Sequence, residues 1–586
     1  MTDLLKRLLR RPGVFISLVV ASLFINALAL AGPLFVIQVI NRYVSQGVDA
    51  TLATLTIGAL FATVMEFGFR QVRLSLANAV AVRLDETLSM DNFKLMLTAR
   101  IGPFEQVTPG LKRQFMRGSE TIQQAFSAPN IATILDLPFA LLFLFMMLLL
   151  SPALAAIATV FSGVVLLLAT LNTNKVDTTN RDLIRESSAG NRHLDSALEA
   201  GDTVRSFGAG RYLFRAWQDH IREAHSLTRR IFGQRGLTQS LTQSAMAAMS
   251  ITIVAVGGVL VVGGKLDVGV MIGCNILGAR TLAAVSRFSM LGETFSRAKQ
   301  CIKLFQEIYR LPREQGEGAQ LDGYRGGLAL RDVRFAFHGQ PTPLFETLNL
   351  DLQPGAVLLV SGKNGAGKTT FCRLLAGLIE PERGDILADG VDVRQLNSDW
   401  WRRQIRYLPQ EPKFLNATIA ENLRTLNPGI DDNGLNAAIE AAGLKPFISQ
   451  SPEGFNTLIT DNGRHLSLGI RRRLALARAM TGTGLLAIFD EPTEGLDRDG
   501  ARAVYATLNQ MTKEGVTIVI CSLDPYIQQA AQLILDLDKK PVPSVYVNPA
   551  LKGKREGGFS GWLGGVEEDA GTEPNPQFSV EEETAP

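Results

Sequence analysis

Apolar residues are concentrated in the first half of this chain. From Val14 to Ile40 no charged side chain interrupts the run, and a helix needs about 20 apolar residues to cross a bilayer. Similar stretches recur at 52–69 (weakened by Glu66), at 131–150 and 153–173 (split by Ser151-Pro152), at 241–264, and at 268–288 (which carries Arg280). With 14–40 they predict six spanning helices within residues 1–312, the third and fourth joined as a tight hairpin. The basic start, Lys6, Arg7, Arg10 and Arg11, with small residues near Gly32, has the outline of a cleaved signal. Apolar sequence continues past that point to Ile40, so a retained span is expected.

Charge orients these spans. Residues 70–130 hold eight Lys or Arg, and 175–235 is also rich in arginine, whereas the other connections are short and nearly free of positive charge. Both long loops and both termini are therefore expected on the cytoplasmic side of the lipid bilayer. The loop lengths predict that the helices run on beyond the membrane. Asp136 and Arg280 fall at or within spans. Ionisable groups there face a cavity or another charge, or snorkel to the interface.

The pattern changes after a connector rich in Gly and charge, 313–327. Residues 328–545 alternate strand-like and helix-like segments, as in an α/β P-loop domain. The tail, 546–586, is rich in Gly, Glu and Pro and is expected to be disordered, with a partner-binding segment around Phe559 and Trp562 as a lesser alternative. A net charge of only +3 argues against nucleic acid as a partner. Cys274, Cys301, Cys372 and Cys521 lie far apart, with no metal spacing and no disulfide framework, which suits a reducing compartment.

The candidate chemistry sits in the second half. Gly362-Lys-Asn-Gly-Ala-Gly-Lys-Thr369 matches the loop that cradles nucleotide phosphates. It follows an apolar strand, Val357 to Val360, and opens a helix through Thr370 to Ala376. Backbone N–H groups and the positive helix end would converge on the phosphates. Gly362, Gly365 and Gly367, together with Asn364 and Thr370, form the cradle. Lys368 would reach the β- and γ-phosphates of ATP, and the Thr369 hydroxyl would bind Mg2+. Leu485 to Phe489 reads as a buried strand ending in Asp490-Glu491. Asp490 is placed to hold Mg2+ and Glu491 to polarise the attacking water.

These motifs, in this order, resemble the ABC transporters. Tyr407-Leu-Pro-Gln410 is similar to the family's Q-loop, Leu466-Ser-Leu-Gly-Ile470 stands where the signature belongs, and Glu494-Gly-Leu-Asp497 resembles the D-loop. The resemblance implies that Gln410 senses the γ-phosphate and Mg2+, that Ser467, Gly469 and Asp497 act at the nucleotide, and that Phe337 stacks on adenine. It implies an all-α six-helix transmembrane exporter domain (1–312) followed by a P-loop nucleotide-binding domain (328–545). Leu30 to Ile40, Leu135 to Leu142, Ala197 to Ala200 and Met271 to Leu277 resemble type I secretion exporters. That group implies a homodimer or heterodimer of half-transporters in the inner membrane. It exports a protein or peptide with a periplasmic adaptor and an outer-membrane channel. No peptidase domain precedes the first span here, so leader cleavage is not expected. Export of lipids, drugs or small peptides, and a weakly hydrolysing regulatory half, remain as alternatives.

Two positions depart from the family. Leu468 and Ile470 stand where the signature has glycine and glutamine. Leucine adds bulk where backbone must approach a phosphate. Leu523, after Thr517 to Ser522, stands where a histidine should face the γ-phosphate, and none of the five histidines lies there. Leucine cannot donate that hydrogen bond. ATP binding with slow hydrolysis is the expectation.

Overall fold

A computed structural model describes residues 12–549, apart from 45, 46, 48, 338 and 341. Lys6, Arg7, Arg10, Arg11, Phe559 and Trp562, and the tail expected to be disordered beyond residue 549, lie outside the described residues. The chain divides into two units, one of residues 1–97 and 106–311, the other of 98–105 and 312–586.

Among the described residues the first unit is built of helices and carries no strand. Its helices are α1 (Pro12–Leu28), α2 (Ala31–Gln38), α3 (Asp49–Thr98), α5 (Pro109–Ala125), α6 (Ala128–Leu150), α7 (Pro152–Glu199), α8 (Gly201–Ser206), α9 (Gly210–Val262) and α10 (Val268–Tyr309). The short α4 (Ile101–Gln106) belongs almost wholly to the second unit. Among the described residues six segments are long and apolar enough to span a membrane: 12–44, 49–79, 128–150, 152–172, α9 and α10. The uncharged run at the start is one span built of α1, α2 and a π-helical stretch, Val39–Val44. Ser151 leaves the helical region (φ −160°) and Pro152 starts α7, which produces the hairpin predicted at that dipeptide.

α3, α7 and α9 have 50, 48 and 53 residues. A bilayer takes up about 20 residues of a helix, so each has more than half its length outside. Near its end α3 packs with α5 and α10 around Phe115, Phe305 and Tyr309, whose rings meet edge-on or tilted. A second cluster around Met147, Leu154, Met249 and Leu277 joins α6, α7, α9 and α10. Asp136 does not stand alone in this apolar setting. Arg73 Nη1 donates to its Oδ1 at 2.6 Å and to Ser22 Oγ at 3.2 Å, and Asn26 Nδ2 donates to Asp136 at 3.1 Å.

The described residues of the second unit form three sheets. β1 (Leu328–Phe335), β2 (Phe345–Leu352), β4 (Arg383–Ala388) and β5 (Val391–Asp392) form an antiparallel sheet in the order β2-β1-β4-β5. The main sheet contains β3 (Val357–Ser361), β6 (Ile405–Leu408), β9 (Leu486–Asp490), β10 (Thr517–Cys521), β11 (Leu533–Asp536) and β12 (Ser544–Val547). Its order is β12-β11-β3-β10-β9-β6, parallel except at the β12 edge. β7 (Ala417–Thr418) pairs with β8 (Leu458–Ile459). The helices are α11 (Lys368–Leu375), α12 (Ser398–Arg403), α13 (Ile419–Arg424), α14 (Asp432–Ala441), α15 (Lys445–Gln450), α16 (Leu468–Met480), α17 (Arg498–Lys513) and α18 (Pro525–Ala530).

β9 and β10 are buried at every position. This explains their unbroken apolar sequence, because a parallel strand is covered on both faces. One face packs on Phe414, Leu474, Leu476 and Leu508, the other on Phe345, Phe371 and Trp401. Cys521 pairs in register with Val360 on one side and Asp490 on the other. The carboxyl ends of β3 and β9 therefore flank the end of β10.

The Arg73–Asp136 pair yields a test. Asp136→Leu leaves the Arg73 guanidinium largely buried without its carboxylate and is expected to cost about 3–5 kcal/mol. Arg73→Met combined with Asp136→Leu is expected to recover most of that loss. Thermal unfolding of the three proteins in one detergent reads both effects.

Candidate nucleotide site

The loop after β3 is built on three glycines in the left-handed region: Gly362 (φ 155°), Gly365 (φ 83°) and Gly367 (φ 108°). At Gly367 the need is steric as well, since a Cβ would lie 2.8 Å from Leu344 Cδ2 and Phe345 Cζ. Gly367 caps α11, and the free N–H groups of that helix's first turn face the loop. Two residues beyond the main strands hold the loop from outside. Asp538 Oδ1 accepts from Lys363 N at 2.8 Å, and Lys540 Nζ donates to the carbonyls of Ala366 (2.7 Å) and Leu344 (2.6 Å). Lys540 also lies 4.8 Å from the centre of the Phe345 ring. Nothing in the sequence near the motif indicates these supports, which stand more than 170 positions away.

Lys368 is buried at the head of α11. Its Nζ donates to the Gly362 carbonyl at 2.9 Å and pairs with Glu491 Oε1 at 3.0 Å. Glu491 follows the end of β9 in the left-handed region (φ 49°), with its N–H bonded to the Cys521 carbonyl at 2.8 Å. A non-glycine residue held there is strained, and the pairing to β10 keeps it in place. Asp490, only 1 % exposed, closes β9. Neither of its oxygens makes a hydrogen bond of ordinary geometry, although the Thr369 hydroxyl stands close enough to act on the carboxyl. Burial pushes its carboxyl above the ordinary range, against the pull of the Thr369 hydroxyl and the Lys368 charge.

The structure thus brings together Gly362, Gly365, Gly367, Lys368, Thr369, Asp490 and Glu491. Asn364 and Thr370 fall in the same loop and helix. Gln410 is elsewhere engaged: its Nε2 donates to Glu494 Oε2 at 3.3 Å, and Arg472 Nη2 donates to the same oxygen at 3.1 Å. Glu494 links the segment after β6 to α16, a role absent from the sequence reading. Phe337 is 45 % exposed and, among the described residues, has one ring contact, with Phe335 edge-on at 5.2 Å.

Ser467 and Asp497 are bonded elsewhere than to the loop among the described residues. Ser467 caps α16 and accepts from Ile470 N at 3.3 Å. Asp497 caps α17, accepts from Gly500 N at 2.8 Å, and pairs with Arg473. The Gly500 N–H and Arg473 hold its carboxyl below the ordinary range. Beside Ser467, a Cβ on Gly469 would meet nothing, and Leu468 is 42 % exposed. The start of α16 is thus an open helix N-terminus suited to an anion from outside the chain. Leu523 is 54 % exposed past the end of β10. Its neighbour Asp524 caps α18 and accepts from Tyr505 Oη at 2.6 Å.

Far apart along the chain, Cys372 Sγ on α11 and Cys521 Sγ on β10 lie 3.3 Å from each other, beside Asp490. Their separation of 149 positions hides this from a spacing search. Both thiols are buried, and burial pushes that of Cys521 well up.

The arrangement suits a triphosphate, because the glycine cradle, the α11 N-terminus and Lys368 all present positive potential to one place. It also suits a divalent cation, because Asp490 is a buried carboxylate with neither oxygen in a hydrogen bond of ordinary geometry. At neutral pH an ionised Asp490 costs the ligand-free protein stability. The raised folded-state pKa means that this cost appears as pH rises through it and vanishes below the unfolded value. Asp490→Asn is expected to raise the unfolding temperature of the nucleotide-free protein at pH 7 by a few degrees. It should also remove the further stabilisation that Mg2+ adds to ATP. Unfolding scans with ATP plus and minus Mg2+ measure both.

Comparisons with known proteins agree with this geometry. Residues 15–283 match the family model for the ABC transporter transmembrane region, and 345–494 match that for the ABC transporter. The Toxin RTX-I translocation ATP-binding protein of Actinobacillus pleuropneumoniae is 24% identical over 527 residues, 89% of this chain and 74% of that protein. The leukotoxin translocation ATP-binding protein LktB of Mannheimia haemolytica is 25% identical over 528 residues, with the same coverage of each. The structure of a bacterial Atm1-family ABC exporter with ATP bound superposes with a TM-score of 0.79 at 19% identity, covering 96% of this chain and 99% of that one. Six apolar helices, a phosphate loop backed by Asp490 and Glu491, and both family models make this chain an ABC exporter half-transporter, a member of the ABC transporter family that couples ATP hydrolysis to transport.

Proposed function

We propose that this chain is half of a dimeric inner-membrane exporter that moves a protein or peptide out of the cytoplasm, in the manner of type I secretion. The similarity to two toxin translocation proteins over 89% of the chain carries this reading. The arginine-rich loops orient both termini and the nucleotide-binding half towards the cytoplasm. A periplasmic adaptor and an outer-membrane channel complete the route. Expression with and without such partners, with the cargo followed in the medium, tests the assignment. Secretion is expected only when Lys368 is intact, and export of lipids or small drugs by cells that secrete no protein would overturn it.

The residues divide the work as follows. ATP enters the cradle between Gly362 and Thr370, with Phe337 offering its ring to adenine. Lys368 exchanges Glu491 for the β- and γ-phosphates, since a charged phosphate oxygen is the stronger partner. That exchange frees the Glu491 carboxylate to take a proton from the attacking water. Mg2+, held by Asp490, Thr369 and Gln410, would neutralise charge on the phosphates. Gln410 would have to leave Glu494 to take part. The α16 N-terminus, with Ser467 and Gly469, is used across the dimer, capping ATP bound to the partner subunit, and Asp497 lies at the same junction. α4 is the element placed to feel closure: Arg100 pairs with Glu380 and Glu105 with Arg373. The segment Ser206 to Arg211, with Phe207 almost fully exposed, is a second such element.

Leu523 supports a second reading of the partnership. The position expected to orient the γ-phosphate carries only an exposed aliphatic side chain, so this site turns over slowly, and an intact second half-transporter would supply the faster one. Leu523→His is expected to raise ATPase turnover of the purified protein by about tenfold or more, while Glu491→Gln abolishes it. An unchanged rate in Leu523→His would remove Leu523 as the limiting residue.

A further inference from the structure

A cavity of about 310 Å3 opens among α1, α3, α6 and α10 of the helical unit. Four arginines line it, Arg70, Arg73, Arg280 and Arg287, against two carboxylates, Glu66 and Asp136. Both carboxylates are spoken for. Glu66 pairs with Arg70 one turn away, and Asp136 with Arg73. Arg287 donates only to the Ala283 carbonyl, at 3.3 Å, and Arg280 has no hydrogen-bond or ion-pair partner among the described residues. The lining therefore carries two cations without counter-charge.

Depth makes this imbalance costly. Successive spans alternate direction, so α3 and α10 run the same way through the bilayer. At 1.5 Å per residue, Arg70 lies about 32 Å along α3 and Arg287 about 28 Å along α10. The hydrocarbon core is about 30 Å thick, so both stand at its far boundary. Arg280, about 18 Å along α10, lies inside its second half. An uncompensated guanidinium there costs free energy that a bound anion would recover. Gly32 lies beside the Arg280 guanidinium, where a Cβ would stand at an ordinary contact distance of 3.8 Å from Nη2.

We propose that this cavity holds the phosphate of an anionic phospholipid drawn from the leaflet at which α3 leaves the membrane, with Arg280 and Arg287 as its principal ligands. A guanidinium offers paired N–H donors that match two phosphate oxygens, and basic pockets between membrane helices at headgroup depth select anionic lipids. The volume is that of a small-ligand site. Apolar lining from Ile25, Leu74 and Phe143, and the exposed Val64 and Phe67 on α3, give acyl chains a surface beside the charged floor. The inference concerns lipid regulation of the transporter and is independent of its cargo.

The full-length protein in phosphatidylcholine nanodiscs, titrated with phosphatidylglycerol, tests this. Retained lipid is read by native mass spectrometry and stability by thermal unfolding. Wild type is expected to retain phosphatidylglycerol over phosphatidylcholine by about tenfold and to unfold at higher temperature when it is present. Arg280→Gln should lose both effects and Arg280→Lys should keep part of the preference. Should Arg280→Gln fail to fold, Arg287→Gln, at an exposed position, is read in the same way. Equal retention of the two lipids by wild type, or undiminished preference in the Gln variants, overturns the proposal. So does displacement of the lipid by millimolar inorganic phosphate, which would make free phosphate the ligand. Displacement by a short polyglutamate peptide would reassign the cavity to acidic cargo and overturn it equally.

Discussion

Lys368 is the point on which the nucleotide unit converges. Its ammonium group is almost sealed from water, between the Gly362 carbonyl and the Glu491 carboxylate. A buried charge persists only when it is compensated, so the loop must fold back far enough for Gly362 to offer its carbonyl, and Glu491 must adopt a strained backbone to bring its side chain within reach. The left-handed glycines and the supports from Asp538 and Lys540 serve that geometry. The same compensation defines what a ligand must be: only an anion can draw Lys368 from Glu491 without leaving a bare charge behind.

Asp490 is the complementary case. It is buried as deeply as the core strands, yet neither oxygen makes a hydrogen bond of ordinary geometry. Such a group is costly to bury, and under the proposed function a cation bound there would offset that cost. Gln410 and Arg472 both donate to Glu494, which joins the segment after β6 to α16.

The helical unit obeys the same rule in a different solvent. Lipid offers no hydrogen bonds, so Asp136 recruits Arg73 and Asn26, Arg73 reaches on to Ser22, and Glu66 recruits Arg70 one turn later. Where compensation stops, at Arg280 and Arg287, a cavity begins. Two half-used structures, the α16 N-terminus with its open surroundings at Gly469 and the cationic cavity, thus present unspent electrostatic potential to something outside the chain.

Local chemistry made much of this legible from residue order. Apolar runs of sufficient length have one low-energy use in a bilayer, so the six spans and the hairpin at Ser151-Pro152 followed directly. The phosphate loop and the strand ending in Asp490 are short-range devices whose geometry is written in adjacent residues. The remainder depends on residues remote in sequence that folding brings within bonding distance. Lys540 under Ala366, Cys372 against Cys521, Glu494 between Gln410 and Arg472, and Arg73 on Asp136 carry no local signature, because a hydrogen bond or an ion pair constrains separation in space and not along the chain. Whether Arg280 faces lipid or a cavity was open for the same reason: a helical period names a face, and only the packing of neighbouring helices says what that face meets.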